Sequence, residues 1–152
     1  MCFGDPNEEC IIGDNRNGCI EFNKNQIIKW LEILSNKNLD FIVCYFHGGY
    51  EFEYFPSPLH VSLLRLCIRL GADLVYSCHS HILQPYEIYK NKYIFYGLGN
   101  FYFASRRNMF PEISDVGLIL AVTFKKNDKI KIKPIKLKFN RCSGKTVYCN
   151  EN

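Results

Sequence analysis

The sequence predicts an α/β (α+β) chain, and three observations carry that expectation. An apolar run from Leu39 to Phe46 and a β-prone run from Asp73 to Ser77 flank an amphipathic helical pattern, which is the order of a βαβ unit with parallel strands and a right-handed crossover. Beyond His81 the helical period disappears, and turn residues separate short β-prone runs, so the second half reads as antiparallel. Both predicted parallel strands run directly into histidine, at His47 and at His79 and His81, and functional loops in α/β proteins lie at such strand ends. With 152 residues, 47% apolar and 22% charged, the chain suits one domain with a substantial core, residues 1–152.

Taken in order, residues 1 to 22 read as a polar lead-in whose G-D, G-D-N and N-G steps are turns. Asn23 then offers a helix cap with Gln26 three residues on, and Ile27, Ile28, Leu31 and Leu34 share one face, with Trp30 at its margin and closure near Asn36. Leu39 to Phe46 has the continuous apolar character of a strand buried on both faces. Two glycines and two prolines keep residues 47 to 58 irregular. Ser57 followed by Pro58 starts the next helix, with Leu59, Leu63, Leu66, Cys67 and Leu70 as its expected apolar stripe and Gly71 as its stop. His60 reads as a surface residue. Ile88 to Tyr96 reads as a hairpin turning near Asn91, and Gly97 to Asn100 as a break. Gly117 to Phe124 is a strand, Lys125 to Asp128 a turn, and Lys129 to Phe139 alternates with a change of parity at Pro134, predicting a bulge or an edge there.

Composition narrows the function classes. No run of 18 apolar residues exists, and the first ten residues lack the basic and apolar regions of a signal peptide, so the chain as given reads as soluble. The eight cysteines include no C-x-x-C pair, and Cys44 and Cys67 fall at apolar positions, so they read as reduced small hydrophobes, with Cys78 beside His79 as a potential ligand. Between Lys125 and Lys145 lie nine basic residues and one acid. Alternating lysines suit a solvated strand face, and they also suit a polyanion or acidic head groups; nucleic acid fits poorly without a stacking platform.

His47, His79 and His81 are the candidate metal ligands, because neutral imidazoles converging from adjacent strand ends form most of a coordination shell for a divalent ion such as Mn, Fe or Zn. Glu51 and Glu53, just past His47, can add oxygens or orient a ring. Bound water acidified by such an ion is a hydrolytic nucleophile.

Several motifs in one order carry a family resemblance: H-G-G-Y-E-F (His47 to Phe52), G-A-D (Gly71 to Asp73), S-C-H-S-H (Ser77 to His81), Q-P-Y-E (Gln84 to Glu87) and Y-G-L-G-N-F (Tyr96 to Phe101). Across about residues 39 to 139 the chain resembles the C-terminal half of the CapA, poly-γ-glutamate capsule biosynthesis family, which has a calcineurin-like metallophosphoesterase sandwich. The resemblance implies a two-metal centre, with His47 and His79 on one ion and His81 on the other, incomplete here if the family's N-terminal ligands are missing. It also implies catalytic-site roles for Glu51, which would hold a ligand histidine in place or face the substrate, and for Asn100. No separate organic cofactor is implied. Implied partners are a polyanionic polymer or phosphoester substrate, a missing N-terminal half, and other capsule-synthesis proteins; family members are usually associated with the membrane or cell envelope. Departures include Gly48 in place of an aromatic and Ser77 in place of glycine. Asp5 and Asp14 follow glycine, yet with no apolar strand before them they read as decoys for the family's N-terminal aspartate. A metal-dependent hydrolase is the first reading and a non-catalytic accessory or binding protein the second; a structural zinc using Cys78 is a third.

Overall fold

The computed structural model describes residues 2–5, 18–103, 110–125 and 130–149. Its larger sheet has six strands in the order β2 (Ile20–Glu21), β1 (Cys2–Gly4), β3 (Val43–His47), β4 (Leu74–Cys78), β6 (Lys92–Phe95) and β5 (Tyr86–Tyr89). All neighbours are parallel except β5 and β6, which form the expected hairpin through Lys90 and Asn91, both with positive φ. A second sheet stacks β7 (Val116–Thr123), β8 (Lys131–Asn140) and β9 (Lys145–Tyr148) antiparallel. A short 3₁₀ turn, Glu112–Asp115, leads into β7. The α/β expectation thus holds, with a parallel half followed by an antiparallel one.

Two helices cover one face of the larger sheet. In α1 (Lys24–Ser35) the Asn23 side chain accepts from the Gln26 amide at 2.9 Å, and Ile27 and Leu31 are buried. In α2 (Pro58–Arg69) Ser57 caps the His60 amide at 3.2 Å. Strand alternation sends Cys44 and Phe46 to this side, where Phe3, Val75 and Ile94 join them against Leu64, Cys67 and Ile68. Each such side chain contributes roughly 1.5–3 kcal/mol when fully withdrawn from water. The G-A-D step has a structural task. One Asp73 carboxylate oxygen accepts from the Ile42 amide at 2.8 Å and the other from the Lys92 ammonium at 2.9 Å, tying together the starts of β3, β4 and β6. Glu87 similarly joins sheet to helix, accepting two guanidinium bonds from Arg65, at 2.8 and 2.7 Å, and one from the Tyr96 hydroxyl at 2.7 Å.

Three expectations need correction, and a fourth, at Pro134, holds in one of its two forms. Residues 1 to 22 are more than a lead-in: Cys2–Gly4 is a strand, parallel to β3, and three residues suffice because Phe3 is fully buried beneath the helices. The buried stripe of α2 is His60, Leu64, Cys67 and Ile68, one step round the helix from the expected one, and Leu59 is exposed. His60 is therefore a core residue; the rings of Phe46 and Tyr96 enclose it at 4.4 and 6.4 Å. Pro134 makes no bulge, since β7 and β8 stay in continuous register from Val116↔Lys138 to Thr123↔Lys131. The proline lies where β9, paired only from Leu137 to Asn140, does not reach, so it occupies an edge. The predicted turn at Lys125 to Asp128 lies largely outside the described residues, as does Asp14.

Candidate metal centre

Parallel register sets the site. The ladder pairs Gly4 with His47 and His47 with Cys78, so β1, β3 and β4 end at one level, and β6 delivers Asn100 nearby through the Gly97 to Gly99 segment. Close approach demands glycine twice here. A β-carbon on Gly48 would stand 2.7 Å from Phe46 Cζ and 2.8 Å from Asp5 Cβ, which explains the missing aromatic at that position. Gly99, at φ +65°, bridges to Gly117 and couples the site to the second sheet.

Strain concentrates at the same place. Of the five described non-glycine residues with positive φ, two form the β5–β6 turn and the other three are Phe52 (61°), His79 (116°) and His81 (57°). Such conformations cost of order 1–3 kcal/mol each and persist where surrounding contacts enforce them. The enforcing contacts are present: the Gly48 amide donates to Cys78 O at 3.1 Å and the Phe52 amide to Ser80 O at 2.8 Å, clasping the two histidine-bearing loops.

Within this frame Glu51, His79 and His81 each offer a ligand atom, all within 4.8 Å of one another. The Asn100 amide decides the form of His81. Its nitrogen donates to Ser114 O at 3.1 Å, so its oxygen, 2.9 Å from His81 Nδ1, accepts Nδ1–H. That leaves Nε2 as the ring atom facing Glu51, whose carboxylate oxygen is 3.8 Å away, and as the ligand atom when the ring binds a metal. His47 stands beside this group, its ring 5.2 Å from that of His79, and the His79 and His81 rings are 5.9 Å apart. Glu51, His79 and His81 are brought together, with His47 beside them and Asn100 behind His81, while the Glu53 backbone carbonyl accepts from the Gln84 side chain at 2.8 Å.

Several residues of this neighbourhood escaped the sequence reading. Asp5 follows a real strand, donates its amide to His47 O at 3.0 Å and places its carboxylate beside Gly48. Tyr45 sets its hydroxyl 2.8 Å from His47 Nδ1, and burial holds that phenol well above its ordinary range. Burial also pushes the Cys78 thiol up, and its sulfur is not among the ligand atoms that converge at Glu51, His79 and His81. Ser77, standing where glycine was expected, turns its hydroxyl to His60 Nε2 at 3.3 Å inside the core. Burial drives His60 down to about 4, so it is neutral at pH 7 and separate from the metal group. The i, i+4, i+7, i+8 spacing of His60 with Leu64, Cys67 and Ile68 was the available signal.

A mostly parallel sheet, helices on one face, antiparallel strands beyond, and imidazoles with a carboxylate at its carboxyl edge define a partial metallophosphoesterase-like α/β domain with a candidate metal centre. Residues 3–105 match the family model for the bacterial capsule synthesis protein PGA_cap, and the chain belongs to that family. It is 41% identical over 66 residues to the capsule biosynthesis protein CapA of Bacillus anthracis, covering 43% of this chain and 16% of that protein. It is 38% identical over 69 residues to the PGA biosynthesis protein CapA of Bacillus subtilis, covering 45% of this chain and 18% of that protein. The match therefore spans less than a fifth of either relative. Among the described residues no helix is long and apolar enough to cross a membrane.

Proposed function

We propose that this chain carries the metal-binding part of a CapA-type protein of capsule polymer synthesis and supports metal-dependent phosphoester hydrolysis. The carrying observation is the Asn100–His81 hydrogen bond, which presents Nε2 to the space shared with Glu51 and His79. Two imidazoles and a carboxylate suit Mn, Fe or Zn, with Glu51 completing the donor set or facing substrate. A divalent ion held there supplies Lewis acidity and an acidified water. His47 and Asp5, on neighbouring strand ends, are the residues best placed to extend the group toward a second ion. The exposed lysines of β8 offer a contact for a polyanionic polymer such as poly-γ-glutamate at the cell envelope.

The test is metal analysis of reconstituted protein together with turnover of bis(p-nitrophenyl) phosphate. Two ions per chain with turnover support the enzyme. At most one ion without turnover supports the second reading, an accessory protein retaining the fold, which is favoured by a ligand group that leaves His47 outside it. Absence of any bound ion removes the hydrolase and leaves the accessory protein.

A further inference from the structure

Outside the candidate centre, the sheet edge formed by β1 and β2 brings two thiols together. The rungs Phe3↔Ile20 and Gly4↔Glu21 run parallel, so the preceding positions, Cys2 and Cys19, stand side by side at the open end of the ladder. Their sulfurs are 3.9 Å apart. Phe3 turns its ring into the core, and strand alternation sends Cys2 to the opposite face, where it is exposed and Cys19 half-buried. Neighbouring strands lie about 4.8 Å apart, within the roughly 4.4–6.8 Å that a disulfide needs between its α-carbons. Rotation of two accessible side chains therefore suffices to bring the sulfurs to bonding distance.

A second pair of thiols supplies the contrast. Cys44 and Cys67 also meet, through a side-chain hydrogen bond, but they do so in the core at 1% and 0% exposure, where no exchange partner reaches them. The edge that Cys2 and Cys19 would join is slight, three residues of β1 against two of β2. It also borders the candidate centre. β1 runs into Asp5, whose amide donates to His47 O at 3.0 Å, and the Phe22 amide donates to Gly4 O at 2.8 Å where β2 turns toward α1.

We propose that Cys2 and Cys19 are a modification site, closed to a cross-strand disulfide by exchange with a low-molecular-weight disulfide, and that the bond pins β2 to β1. The Cys2 thiolate attacks one donor sulfur and expels the first donor thiolate. The Cys19 thiolate then attacks the Cys2 sulfur of the mixed disulfide and expels the second. The pair gives up two electrons and two protons, and the donor takes up both and leaves as two thiols. Because the cysteines are 17 positions apart, the bond closes a loop that restricts the unfolded chain. None of this depends on an ion at the histidines.

Oxidised glutathione added to the folded chain tests the proposal. Peptide mapping without reductant should recover Cys2 joined to Cys19, with Cys44 and Cys67 still thiols. The melting temperature should rise by about 6–12 °C over that of the dithiothreitol-reduced chain. Cys2→Ser and Cys19→Ser should melt as the reduced wild type does and show no such rise. Glutathione retained on either cysteine in place of the bond overturns the proposal, as does pairing of either with Cys10, which lies outside the described residues. So does a linked pair that melts with the reduced chain, or a rise that persists in both variants.

Discussion

Lowering the pH from 7 to 4 places a charge on His60 in the unfolded chain long before the folded chain accepts one. The ring is 7% exposed, packed among aromatics, and its folded value is about 4 against an ordinary 6.5, with burial as the main cause and Asp5 offsetting part of it. Between those values the unfolded state binds more protons, so stability that is complete above pH 6.5 declines as the pH drops. At about 1.4 kcal/mol per unit the loss reaches about 3 kcal/mol near pH 4 and then levels off, because both states are protonated below it. For a domain of this size that corresponds to roughly 6–12 °C in melting temperature. Urea denaturation of wild type and His60→Gln across this range isolates the effect, since glutamine can retain the Ser77 contact without titrating. Carboxylates such as Glu87, which Arg65 holds below its usual range, lose their contribution equally in both proteins. The wild-type curve should fall more steeply with acid by about 3 kcal/mol in total; parallel curves would refute a buried neutral His60.

Further outcomes follow from the same geometry. Asn100→Ala releases the Nδ1–H of His81 and should weaken Mn or Zn binding by about 10–100-fold in calorimetry, with the melting curve of the metal-free protein changing far less. Leu64→Ala removes a fully buried α2 side chain and should cost about 2–5 kcal/mol in urea denaturation. Gly48→Ala pushes a methyl against Phe46 and Asp5 and should destabilise by about 1–3 kcal/mol, a loss that Phe46→Leu partly relieves.

The legible part of this fold was the part written in periodicity. The βαβ unit, the Asn23 and Ser57 caps and the Lys90–Asn91 hairpin all follow from local pattern. Strand β1 did not, because three residues carry no period, and its place depends on pairing with β3 more than forty positions away. Losing β1 meant losing Asp5 as a neighbour of His47. His60 went astray because histidine was counted as polar, which shifted the α2 stripe onto Leu59. At the site, spacing placed His47, His79 and His81 at adjacent strand ends, the loop just past His47 offered Glu51, and the family motifs drew in Asn100. The Asn100–Ser114 bond that sets the His81 tautomer joins segments with no shared pattern.

The φ of 116° at His79 has a consequence for how the H-x-H motif works. Had β4 kept its pleat, positions 79 and 81 would follow Ser77 inward toward α2, leaving His47 and Cys78 to point the opposite way. Ending the pleat at Cys78 swings both imidazoles out of the helix-covered interior toward Glu51. Lengthening β4 by even one rung would scatter these donors across two sides of the sheet while altering none of their identities.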